Sequence, residues 1–195
     1  MLLVGLTGSI GMGKSATAAM FREEGVAVHD SDAAVHALYR GPAASEVEKH
    51  FPGVTVDGTI DRTRLAPLVL NQPEKMKLLE SIIHPLVEKS RQDFLESQAA
   101  ASARFAIVDI PLLFEIGGER QVDVILVVSA PDHIQEQRVM ARPGMTRERF
   151  LSIRARQIPN REKVRRAHAL IDTSRGFPAA RLQVGSVIRA LSAAG

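Results

Sequence analysis

The 195 residues, 45% of them hydrophobic, suffice for one sizeable core and point to a single core domain that carries smaller insertions. With no cysteine, a disulfide framework and a thiolate metal site are excluded, which fits a reducing compartment. Lys and Arg number 25 against 22 Asp and Glu, so the net charge of +3 is a weak nucleic-acid signal. No apolar run approaches the roughly 20 residues that span a bilayer, and the N-terminus lacks the zones of a signal peptide. The expectation is a cytoplasmic chain, monomeric or weakly self-associating, that acts on a small molecule and binds neither membrane nor nucleic acid.

Leu2 to Leu6 reads as a buried strand feeding a glycine-rich loop. Lys14 to Glu24 has helical periodicity and stops at Gly25. Between them, Gly8-Ser9-Ile10-Gly11-Met12-Gly13-Lys14-Ser15 matches G-x-x-x-x-G-K-[ST] in full, in the strand-to-helix context the motif requires. Glycines let backbone N–H groups converge on a phosphate, and the helix directs the positive end of its dipole at the same point. Lys14 supplies charge to the β- and γ-phosphates, and the Ser15 hydroxyl is placed to ligate Mg²⁺. The predicted nucleotide-binding set is Gly8, Gly11, Met12, Gly13, Lys14, Ser15 and Ala16, with ATP and Mg²⁺ as ligands. Lys14 reads as a residue of a solvated loop that packs no core, so its removal is expected to leave the fold intact.

Val26 to Val28 reads as a second strand, followed by Asp30-Ser31-Asp32. Both carboxylates would fall at the C-terminal edge of the sheet, where open α/β sheets bind ligands. Asp30 is a turn or cap, or a functional acid; Asp32 is the better candidate to orient or deprotonate an attacking hydroxyl. From Ala33 to about Ala103 the pattern is helical with almost no strand signal, and Pro73 and Pro85 stand where prolines begin helices. His84, just before Pro85, is read as either structural or functional.

Arg104 to Asp109 and Val122 to Val128 are two further strands, and Asp109 stands at the strand end where P-loop proteins place the acid that holds Mg²⁺. A helix opened by Pro131-Asp132 runs towards Arg142 and breaks at Pro143-Gly144. Arg138 and Arg142, four apart, would share one of its faces and meet charge on the transferring phosphoryl group. The basic run from Arg138 to Arg166 is either a solvated surface or an anion-binding segment. Another helix begins near Thr146, Ala169 to Ile171 forms a last strand, and Pro178 to Ala190 a closing helix. Strands separated by helices imply a doubly wound α/β fold with a parallel sheet of about five strands.

A GTPase fits the sequence poorly: Asn160-Arg161-Glu162-Lys163 fails the guanine-reading N-K-x-D, and Asp109-Ile110-Pro111-Leu112 fails D-x-x-G. The P-loop with Asp30-Ser31-Asp32, Ile83-His84-Pro85-Leu86, Val108-Asp109-Ile110-Pro111-Leu112-Leu113-Phe114-Glu115, and Gln137-Arg138 through Arg142 to Gln157 resembles dephospho-coenzyme A kinases from Leu3 to about Ile188. The resemblance implies ATP-dependent phosphorylation of the ribose 3′-hydroxyl of dephospho-CoA, with His84, Pro111 and Leu112 joining Asp32 at the substrate. It also implies a core of 1–32, 104–137 and 168–195, a helical substrate domain of 33–103 and a lid of 138–167. Ala16, His168 and Thr173 depart from the residues usual in the family, the last two where the C-terminal strand would meet the adenine. A shikimate- or gluconate-type kinase is the rival enzyme, and a nucleotide-dependent nucleic-acid protein the rival of another class. The latter lacks an aromatic and basic pattern, with no Trp and one Tyr in the chain.

Overall fold

The computed structural model describes residues 1–194. Two compact units divide the chain, Met1–Val28 with Gln98 onward, and His29–Ser97. The order begins β1 (Leu2–Thr7), α1 (Lys14–Glu23), β2 (Val28–Asp30), α2 (Ser31–Tyr39), α3 (Ala44–His50) and the short strands β3 (Thr55–Val56) and β4 (Thr59–Ile60). It continues with α4 (Arg62–Val69), α5 (Pro73–Ala100), β5 (Phe105–Asp109) and β6 (Val124–Ser129). The last elements are α6 (Asp132–Met140), α7 (Arg147–Ala155), α8 (Asn160–Arg165), β7 (Ala169–Asp172) and α9 (Gly176–Ala194).

The first unit is built on a five-stranded sheet ordered β2-β5-β1-β6-β7, in which β1 pairs in parallel with both β5 and β6, and β6 with β7. A central strand covered on both faces needs apolar residues at every position, which is why β1 reads as a run without alternation. Val4 and Leu6 enter one core with Phe21 of α1 and Val184 of α9. On the opposite face Gly5 admits Leu113 and Val122 so closely that a Cβ would stand 3.1 Å from Val122. That second layer holds Leu113, Phe114, Ile125 and Val127, backed by Ile158 and Val164. Phe21 is fully buried, a burial that stabilises by about 3 kcal/mol.

The register pairs Leu6 with Asp109, Thr7 with Val127, and Ser129 with Asp172. The loops after β1, β5, β6 and β7 therefore leave from one edge, and β1 is the strand at which the winding reverses, the place where such sheets take ligands.

In the second unit α2 to α5 pack around Leu38, Val47, Phe51, Leu65 and Leu79. This region is not purely helical. β3 and β4 form an antiparallel hairpin whose turn, Asp57-Gly58, has both residues at positive φ, 49° and 73°. That is the two-residue turn that suits strand twist, and the Asp-Gly pair between Val56 and Ile60 was its signal. Pro85 starts no helix either. Pro73 opens α5, and Pro85 lies inside the same 28-residue helix. An interior proline costs about 3 kcal/mol in isolation; here Leu79 and Ile83, buried residues that precede it on the same helix, hold the helix on the core. The expected strand at Val26–Val28 is displaced to Val28–Asp30, although the Ala27 carbonyl still accepts from the Ile107 N–H at 3.0 Å.

Candidate active site

The loop from Gly8 to Gly13 follows β1. Gly11 stands at φ 78°, with Val139 only 2.5 Å from where its Cβ would lie, so no other residue fits without displacing α6. Gly13, at φ 92°, caps α1, and the first intrahelical bond runs from the Thr17 N–H to the Gly13 carbonyl at 3.0 Å. The N–H groups of Lys14, Ser15 and Ala16 precede it, the set that a helix start leaves without intrahelical acceptors.

The back of the loop is held by four partners. Ile10 is clasped: its N–H donates to Gln157 Oε1 at 3.1 Å and its carbonyl accepts from Gln135 Nε2 at 2.7 Å. Met12, fully buried, accepts at its carbonyl from Thr173 Oγ1 at 2.8 Å and at its sulfur from the Ala130 N–H at 3.1 Å. A loop fixed on its outer side keeps its phosphate-binding curvature without a ligand.

Lys14 Nζ and Asp109 form an ion pair, their side chains 14% and 2% exposed. The end of β5 thus carries a carboxylate that is almost wholly out of water, and the lysine compensates it. This differs from the expectation of a lysine in a solvated loop whose loss leaves the fold untouched. Ser15, beside it on α1, is exposed.

Arg138 of α6 donates from Nη1 to Thr173 Oγ1 at 2.8 Å and from Nη2 to the Thr173 carbonyl at 2.7 Å. Since the same hydroxyl donates to the Met12 carbonyl, one threonine fixes the guanidinium relative to the P-loop. Arg142 is not on the helix, because α6 ends at Met140; Arg142 N–H closes a turn onto the Val139 carbonyl at 3.1 Å. Both arginines nevertheless line one cavity of about 250 Å³ with Gly11, Gly13, Ala16 and Phe177. Phe177, 68% exposed at the start of α9, offers that cavity an aromatic face. Other members of the basic run are engaged elsewhere: Arg147 with Glu136, Arg154 with Asp132, and Arg166 with Glu119.

Thr173 and Phe177 escaped the sequence reading. In the sequence Thr173 stands out only as a departure from the family's usual residue, and a lone Phe after a glycine carries no signal of what it lines. His168 belongs elsewhere: its Nδ1 accepts from the Ile125 N–H at 2.9 Å and its own N–H donates to the Ile125 carbonyl at 2.9 Å. It stands at the entry of β7, the sheet edge opposite the P-loop, and Thr173 stands at the exit.

Pro111 and Leu112 follow Asp109. Thr7 Oγ1 donates to the Pro111 carbonyl at 3.2 Å, and Leu112 is 42% exposed. Glu115, at the end of this segment, pairs with fully buried Lys163 at 2.7 Å and accepts from the Ile158 N–H at 2.8 Å. Burial alone would raise the Glu115 pKa, but the hydrogen bonds from Lys163 and Ile158 together hold it below the usual carboxylate value. Gln157 and Ile158 are consecutive, so one short stretch anchors both the P-loop and the segment after Asp109.

In the second unit Asp30 is the cap of α2, its Oδ1 accepting from the Ala33 N–H at 2.9 Å. Asp32 is thereby freed from capping and lies exposed in the first turn. It lines a cavity of about 280 Å³ with His36, Tyr39 and Arg62. His84 is exposed along α5 and is not among the residues of that cavity.

Residues 2–178 match the dephospho-CoA kinase family. A dephospho-CoA kinase of Mesorhizobium japonicum is 53% identical over 188 residues, covering 96% of this chain and 95% of that protein. Among solved structures, a Thermus thermophilus protein superposes with a TM-score of 0.81 at 36% identity, over 97% of this chain and 96% of its own. The dephospho-CoA kinase of Campylobacter jejuni does so with a TM-score of 0.68 at 25% identity, over the same shares of both chains.

Proposed function

The chain belongs to the dephospho-CoA kinase family, and from that premise we propose that it transfers the γ-phosphoryl group of ATP to the ribose 3′-hydroxyl of dephospho-CoA, in the cytoplasm, as the last step of coenzyme A synthesis. The observation that carries the reading is the Lys14–Asp109 pair at the mouth of a complete P-loop. Two charges of opposite sign, held where a phosphate and a cation would meet, are what phosphoryl transfer requires.

The N–H groups of Gly13, Lys14, Ser15 and Ala16 cradle the phosphates, and Lys14 exchanges part of its hold on Asp109 for the β- and γ-oxygens. The Ser15 hydroxyl and the Asp109 carboxylate, hard oxygen donors on adjoining elements, suit Mg²⁺, a cation that takes few protein ligands and completes its shell with phosphate and water. When bound, Mg²⁺ neutralises charge across the β- and γ-phosphates. Among the described residues there is no cluster of three or more His, Asp or Glu that would hold a cation unaided.

Arg138, its direction set by Thr173, stabilises charge on the transferring group. Arg142 and Phe177 bound the cavity beside Gly11, where the nucleoside of ATP lies, and residues 138–167 act as the lid over it. Pro111 and Leu112, and His84 in the second unit, contact the acceptor. Asp32 accepts the hydroxyl's hydrogen bond and orients it for in-line attack; the transition state is loose, so orientation matters more than early deprotonation. The protein acts as a monomer or weak homo-oligomer and needs no nucleic acid.

ADP release measured separately with dephospho-CoA, shikimate, gluconate and single-stranded RNA tests this. Turnover with dephospho-CoA alone is expected; faster turnover with either small acid, or stimulation by RNA, would replace the reading.

A further inference from the structure

Asp32, Val35, His36 and Tyr39 are spaced i, i+3, i+4 and i+7 on α2, so they share one helical face. That face forms a wall of the 280 Å³ cavity, and Arg62, the first residue of α4, closes it. Arg62 Nη1 lies 3.0 Å from His36 Nε2. A guanidinium only donates, so in this bond Nε2 accepts and the imidazole proton sits on Nδ1. Among the described residues no carboxylate pairs with Arg62, although its neighbours Arg64 and Asp61 pair with each other. A cation oriented by a neutral ring keeps its charge for something else.

The geometry points to Arg62 as the residue that recognises the 5′-diphosphate of the acceptor, with the Tyr39 hydroxyl as a second donor. This rests on the reading of Asp32 as the group that meets the 3′-hydroxyl. In dephospho-CoA the 5′-diphosphate is carried by the same ribose as that hydroxyl and is its nearest anion. A cavity with a carboxylate for the hydroxyl and an uncompensated guanidinium for the diphosphate matches that ribose at both ends. Tyr39 remains a neutral donor: burial raises its pKa, and the charge of Arg62 opposes this only in part. His36 serves as a positioning residue that aims Arg62.

The test compares two acceptors that differ at the diphosphate. Binding of dephospho-CoA and of adenosine is titrated with the P-loop saturated by a non-hydrolysable ATP analogue, on the natural chain, Arg62→Ala and Arg62→Lys. Arg62→Ala is expected to weaken dephospho-CoA about 10- to 100-fold, the scale of a lost hydrogen bond to a charged group. Adenosine should change less than about twofold, and Arg62→Lys should recover part of the loss. Equal weakening of both acceptors, or no weakening of either, overturns the assignment. Failure of the natural chain to bind dephospho-CoA would instead overturn the acceptor reading beneath it.

Discussion

The two units treat charge differently. In the first, the charged groups of the site are held before any ligand arrives: Lys14 by Asp109, Arg138 by Thr173, and the loop backbone at Ile10 by Gln135 and Gln157. In the second, Asp32 and His84 are exposed, and Arg62 has an imidazole as its partner. Stabilising a transferring phosphoryl group depends on donors that need no reorganisation during reaction, whereas an acceptor can bring order to exposed side chains as it binds. On the proposed assignment of the first unit to the donor and the second to the acceptor, the first should lose stability along with activity when altered, and the second activity alone.

Lys14→Ala is the most severe way to probe that contrast. Turnover should fall by roughly 10²- to 10³-fold, and removing the cation from a buried carboxylate should cost about 3 kcal/mol of stability, read by denaturant unfolding. An unchanged midpoint would return Lys14 to the solvated loop. Asp32→Asn should lower kcat by roughly 10²-fold with ATP binding and unfolding unaltered; unchanged kcat would remove Asp32 from catalysis. Thr173→Ala should reduce kcat by roughly tenfold through a misdirected Arg138, and Thr173→Ser should restore it; equal loss in both would make the threonine a packing residue.

The smallest effect concerns pH. Burial lowers the pKa of His29, whose Nε2 lies 3.2 Å from Ser90 Oγ and whose ring packs on Phe94. The unfolded chain then binds a proton that the folded chain excludes, so stability is complete above the unfolded value of 6.5 and is lost as pH falls towards the folded pKa. Glu115, held low, acts only below its unfolded value of 4.5. Hydrogen exchange at pH 5.5 should therefore show amides around His29 and α5 losing protection while those around Glu115 and α8 keep it. His29→Gln should abolish the difference.

Periodicity and motif spacing made the parallel sheet and the glycine-rich loop between β1 and α1 legible from the residues, and they placed Asp109 at the end of its strand. What they missed depends on distant partners. Nothing local in Thr173 marks it as the link between Met12 and Arg138, and nothing in Gln157 marks its bond to Ile10, because these contacts join positions 161 and 147 residues apart. Pro85 misled for a related reason: tertiary burial of Leu79 and Ile83 overrides a local preference to begin a helix there. The Asp57-Gly58 hairpin, by contrast, has a local signal in its residues, set within a surrounding helical pattern.

The most direct test of the account is the position of the new phosphate. Phosphorus NMR and mass spectrometry of the product formed from ATP, Mg²⁺ and dephospho-CoA should show one monoester on the ribose 3′-oxygen for each ADP released, and almost none with Lys14→Ala. ADP formed without that ester, or an ester at another hydroxyl, would contradict it.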